Sequence, residues 1–232
     1  MKYLRGILAL LPLVITAAVL PFMPESVPMH YNIEGAVDRM GSRYELLLLP
    51  LMVILIVAVS GFAMKHYTKR AEGPEDDRNA MAARKNVKSL NIISVMIPAI
   101  FGVLQIAVLY MTYRNATAQN VEVNSDMIVR VTAILIGIMC IVMGNLMPKT
   151  AMNHIFGFRV SWSMYNENTW RKCNRFGGIV FVVIGMLLIV TAAIVPTKAV
   201  MLLMTGYLLA ATAVMMVYAY RVYREEIAGE KK

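Results

Sequence analysis

Apolar residues gather in six long runs separated by polar connections, approximately Gly6 to Phe22, Glu45 to Met64, Leu90 to Tyr113, Ile128 to Met147, Gly178 to Val195 and Ala199 to Tyr220. A helix rises about 1.5 Å per residue, so each run can cross a hydrocarbon core about 30 Å thick. The pattern predicts an all-α, polytopic integral membrane protein with six transmembrane helices. Tyr44, Tyr67, Tyr110, Tyr113, Tyr218, Tyr220 and Tyr223 fall near run ends, where a ring buries its body and wets its hydroxyl. The four-residue "VPTK" between the last two runs predicts an antiparallel helical hairpin. In the second connection, Gly73-Pro74 marks a turn, and Asp77 is placed to cap a polar extension of the third span.

Composition agrees: of the 232 residues, 59% are apolar and 16% charged. The net charge of +9 matters through its distribution. Eighteen of the 23 Lys and Arg residues lie at the N-terminus, in the second and fourth connections or in the C-terminal tail; Arg39, Arg43, Arg114, Arg130 and Lys198 fall on the other side. The positive-inside rule then gives a cytoplasmic N-terminus and C-terminus. The basic excess reads as a topology signal, and no direct nucleic-acid partner is expected. Lys2 and Arg5 before the first run suggest a leader, yet no small-residue cleavage site follows, so a retained span is expected. Cys140 and Cys173 sit where no disulfide is expected.

The runs are nearly free of ionisable groups, Arg130 being close enough to an end to snorkel, which disfavours an ion-driven transporter. No internal repeat is visible. Among the polar residues inside runs, Asn91, Ser94, Gln105 and Asn145 read as interhelical hydrogen-bonders, and Gln105 also as the floor of an outward-facing cavity.

Two connections are too specific to be linkers. The first reads "ESVPMHYNIEGAVDRMGSRYE". Pro28 restricts the approach, Gly35 and Gly41 permit positive φ, His30 and Asn32 can satisfy loop backbone groups, and Asp38 can cap or pair with Arg39 or Arg43. These features predict an ordered outer lid. An alternative makes His30, Glu34 and Asp38 the metal or acid-base cluster of a membrane hydrolase, but the spacing matches no strong metal motif; no metal or other cofactor is expected, and a non-enzyme is preferred. The second stretch reads "NLMPKTAMNHIFGFRVSWSMYNENTWRKCNRFGG". Pro148 stops the fourth span, Gly157 offers a turn before Arg159, and Ser163 can cap an interfacial helix beginning near Met164. On that helix Glu167 and Arg171 are four apart, and Trp170 and Asn174 share a stripe. Arg159 and Arg175 could meet an anion, either a lipid phosphate or a cytoplasmic protein.

"SVPMHYNIEGAVDRMGSRYELLLLP" resembles the N-terminal signature of the SdpI family of bacterial membrane proteins, V-P-x-H-x-N-x-x-G-x-x-D-x-x-G-x-K, with Arg43 where Lys is usual. "GNLMPKTAMNHIFGFRVSWSMYNENTW" resembles its second signature through Asn153, Gly157, Arg159, Trp162, Asn166, Glu167 and Trp170. Val160, Ser161 and Asn174 depart from the usual Thr, Pro and His. The resemblance implies a multi-pass immunity protein of the bacterial cell membrane that protects against a secreted peptide toxin, the best-known member of the family also signalling by holding a cytoplasmic repressor. In that light 1–89 reads as a two-span unit with the outer loop, and 90–232 as a four-span unit. The ligand-facing set is then Pro28, His30, Asn32, Gly35, Asp38, Arg39 and Gln105. The set contacting a cytoplasmic partner or membrane lipid is Asn153, Gly157, Arg159, Trp162, Asn166, Glu167, Trp170 and Arg175.

Overall fold

The computed structural model describes residues 2–32, 37–117 and 126–230. Six helices are long and apolar enough to cross a membrane: α1 (Lys2–Val19), α2 (Leu48–Ala71), α3 (Arg78–Thr117), α4 (Asp126–Leu146), α5 (Glu167–Ile194) and α6 (Thr197–Glu230). Helices suit such runs because they satisfy their own amides, which lipid cannot do. The protein is therefore an all-α multi-pass membrane protein with one small addition that the sequence did not lead us to expect. Between α1 and α2 the chain forms β1 (Ser26–Tyr31) and β2 (Val37–Ser42), an antiparallel pair joining Ser26 to Ser42 and Tyr31 to Val37. The proposed loop lid is thus a β-hairpin.

Helix ends obey local chemistry. Asp77 caps α3 by accepting from the Asn79 amide at 2.9 Å, as the sequence suggested. Arg84 reaches back to the carbonyls of Ala71 and Gly73, at 2.9 and 2.6 Å, and closes the C-terminus of α2. Pro148 lies in a 3-10 turn, Met147–Lys149, that ends α4. Val195 and Pro196 alone separate α5 from α6. Arg130 donates to the carbonyl of Ala192 in the last turn of α5, so its charge meets an orphan helix carbonyl.

Packing groups the chain into two compact units. One contains Met1–Gly61, Ser94–Leu135 and Thr191–Leu202. Its core places Met23, Val27, Leu46 and Leu109 together, with Ile15, Val19 and Met29 against them, so the hairpin root is built into the helical packing. The other contains Phe62–Ile93, Ile136–Val190 and Leu203–Lys232. There Met64, Leu90, Leu146, Met147 and Phe156 form one cluster, and Cys173, Ala219 and Val222 another. Within this second unit α4 and α5 approach backbone to backbone. A Cβ on Gly144 would lie 2.5 Å from the Gly178 carbonyl, and one on Gly185 would lie 2.5 Å from that of Gly137. Small residues two turns apart on each helix allow the contact, a common way to pack helices where lipid supplies no hydrophobic drive. Cys140 and Cys173 are buried and free.

Candidate functional site

The hairpin is fastened at its base and open along its outer face. The Arg43 amide donates to the Glu25 carbonyl at 3.1 Å, and its guanidinium donates to the Met23 carbonyl at 2.9 Å, tying the end of β2 to the residues after α1. The Glu45 carboxylate accepts from the Ser42 amide at 3.0 Å and from Arg39 Nη2 at 2.6 Å, while Ser42 Oγ accepts from the Tyr44 amide. This capping box starts the 3-10 turn Arg43–Leu47 that leads into α2. Gly41 is required by space: a Cβ there would fall 2.2 Å from Glu45 Oε1 and 2.6 Å from Met29 Cγ. The expectation of positive φ at Gly41 is corrected; among the described residues only Gly157, at +116°, has it.

Across the strands His30 Nδ1 meets Asp38 Oδ1 at 2.6 Å, with both side chains exposed. Asp38 therefore pairs with the histidine, whereas Arg39 and Arg43, its expected partners, are engaged by Glu45 and the Met23 carbonyl. His30 bonds a carboxylate on the facing strand. β1 carries a register irregularity around Met29 and His30, which locally re-aims side chains on a bulged strand. Pro28 is buried beside Val27, and Asn32 is half-buried. Gly35 and Glu34, singled out in the sequence, lie outside the described residues. Among the described residues no group of three or more His, Cys, Asp or Glu could hold a metal ion.

Gln105 is a tie. It is 1% exposed, and its amide donates to Thr16 Oγ1 at 2.9 Å and to the Leu46 carbonyl at 3.0 Å. Thr16 in turn donates to the Pro12 carbonyl at 2.7 Å. One side chain thereby joins α1, α3 and the turn that follows the hairpin. The expectation that it floors an open cavity gives way to this enclosed role.

In the other unit, residues 147–175 form a compact knot built by the signature residues themselves. Asn153 Oδ1 accepts from the amides of Ile155 and Phe156, both at 2.8 Å, and its Nδ2 donates to the carbonyls of Ala151 and Phe156. Asn174 Oδ1 accepts from the Phe158 amide at 2.8 Å. Trp170 is buried, and its indole donates to the Thr150 carbonyl at 3.1 Å. Gly157 turns between them; a Cβ there would meet Asn174 Oδ1 at 2.5 Å and the Trp170 ring at 2.9 Å. Ser163 spends its hydroxyl on Phe158 and Val160 and does not cap a helix. That role passes to Asn166, which exchanges side-chain and backbone bonds with Thr169. The helix from Glu167 runs unbroken into the fifth span, so the separate interfacial helix expected from the sequence is corrected to the first turns of α5.

The knot is held to the end of α6 by groups the sequence reading passed over. Glu226 accepts from Asn166 at 3.0 Å and from Asn168 at 2.7 Å, and Glu230 accepts from the Tyr165 hydroxyl at 2.7 Å. That carboxylate pushes the Tyr165 phenol pKa up. Trp162 packs edge-on against Tyr220, and Tyr165 does the same against Tyr223. The only hint in the sequence was acids four residues apart in a polar helical tail. Of the signature residues, Arg159 and Glu167 are exposed, as is Arg175 beyond them, whereas Asn153 and Trp170 are buried.

Two separate stretches of the chain match known families. Residues 7–54, which include the hairpin, match a family described as a domain of unknown function, DUF1648. Residues 149–219 match the SdpI/YfhL protein family. Over 104 residues the chain is 31% identical to the Immunity protein SdpI of Bacillus subtilis (strain 168), a match spanning 45% of this chain and 48% of that protein. No solved structure matches.

Proposed function

The chain belongs to the SdpI/YfhL family, and from that membership we propose that it is an immunity protein of the bacterial cell membrane, protecting its host from a secreted apolar peptide toxin. One observation carries the assignment of the receiving surface. The hairpin packs Val27 and Met29 against the helical core, while the side chains of His30, Asp38, Arg39 and Met40, with Tyr44 in the turn that follows, remain exposed. Preorganised polar anchors at the rim of an apolar surface suit a hydrophobic peptide, because little ordering remains to be done on binding. The charge distribution supports an outward-facing hairpin with both termini inside.

The 149–175 segment is the cytoplasmic half of the reading. Its buried asparagines and Trp170 hold a rigid shape, and Arg159 and Glu167 offer opposite charges to a cytoplasmic repressor. Peptide binding at the hairpin alters repressor binding only if the peptide has different affinities for two arrangements of the protein.

The test is protection in a sensitive bacterial host challenged with the producer's secreted peptide fraction. Cells carrying the parent chain survive; cells with Asp38→Ala at equal membrane abundance do not. Equal survival would remove the hairpin from the mechanism.

A further inference from the structure

The Gly144–Gly178 contact leaves an unfilled trench along α4 and α5. About 400 Å³ in volume, it is walled by Ile179, Val182 and Val183, with Pro148, Lys149 and Arg175 among its other lining residues. Ile179 and Val183 are 59% and 44% exposed on a helix long and apolar enough to cross a membrane, so their side chains are open to lipid. At Pro148 and Lys149 the trench meets a second cleft of about 820 Å³, which adds Arg78, Lys85 and Arg171 and a single acid, Glu167. Among the described residues none of these five cations forms an ion pair; Lys149 and Arg171 bond only the side-chain carbonyls of Asn145 and Asn168.

We propose that this trench seats one anionic phospholipid, with an acyl chain against Gly178, Ile179 and Val183 and the phosphate at Lys149 and Arg175. Charge complementarity decides the head: a phosphodiester brings the anion that an uncompensated cationic cleft lacks. The apolar trench decides the tail. A soluble anion would use the cleft and leave the trench empty, whereas an amphiphile fills both. A topology signal alone needs the charges but no groove between two glycine-packed helices.

The experiment is native mass spectrometry of the full chain in detergent micelles, titrated in parallel with dioleoyl phosphatidylglycerol, dioleoyl phosphatidylcholine and glycerol 3-phosphate. One phosphatidylglycerol should be retained with a preference over phosphatidylcholine of about twenty-fivefold, the effect of two surface cations at roughly fivefold each. Lys149→Gln with Arg175→Gln, both exposed, should abolish the preference. Val183→Trp, which fills the trench and leaves the charges, should abolish retention, and thermal melting of each variant should match the parent. Equal binding of phosphatidylcholine, an unchanged preference in the double variant, or unchanged retention in Val183→Trp overturns the lipid seat. Glycerol 3-phosphate binding as tightly as phosphatidylglycerol does so as well, and assigns the cleft to a free anion.

Discussion

The side chains of His30 and Asp38 meet across the hairpin with 2.6 Å between Nδ1 and Oδ1, although the register sets His30 opposite Arg39. Both are exposed, and exposed pairs contribute little to folding, so the pair orients groups on a surface rather than holding the strands together. His30→Gln retains a donor toward Asp38 and should leave both membrane abundance and protection at the parental level. Loss of protection at normal abundance, scored by survival under challenge, would instead indicate chemistry specific to the imidazole.

Gly41→Val tests whether the hairpin base is as tight as its contacts imply. The new side chain must displace Glu45 or Met29, both within 3 Å of its Cβ. Overpacking of this kind costs about 1 to 3 kcal/mol. Limited proteolysis of the purified protein should show faster cleavage within 26–47, with helix content by circular dichroism unchanged.

Gln105→Leu removes two donated bonds and leaves the Leu46 carbonyl without its buried partner. Hydrogen bonds between membrane helices are weak, so the expected loss is about 1 kcal/mol, a small fall in the detergent melting temperature. A fall of tens of degrees would mean that Gln105 is a keystone.

In the 147–175 knot, shape and contact should separate. Asn153→Ala strips four backbone bonds from one buried side chain, and Trp170→Ala opens a cavity; each should cost roughly 2 to 5 kcal/mol. Arg159→Ala, on an exposed residue, should leave the melting temperature unchanged while weakening capture of the proposed repressor by membranes. Thermal melting and co-sedimentation with membranes measure the two effects independently.

The helices were legible because lipid imposes a length and a polarity that few other structures share, and Asp77, Pro148 and the short "VPTK" turn fixed several of their ends. The hairpin was hidden because its residues alternate poorly: Pro28 interrupts one strand, Gly41 the other, and the burial of Val27 depends on Met23, Leu46 and Leu109, distant in sequence. The start of α5 was misplaced because Ser163 and Asn166 are equally good caps by composition, and only the turn at 158–163 determines which hydroxyl or amide is already in use. Of the candidate site, the signature positions were found but their division was not. Asn153 in a loop and Trp170 on an interfacial helix look like surface polar and aromatic anchors, yet their partners are backbone groups that no side-chain pattern reveals.

The central claim is that the hairpin's outer side receives the toxin, and the most direct measurement is survival of a sensitive host carrying Asp38→Ala with Arg39→Ala, alongside binding of the producer's secreted peptide fraction to membranes containing that variant. The account predicts parental abundance and helix content, with protection and peptide retention both lost. Parental survival together with undiminished retention would contradict it.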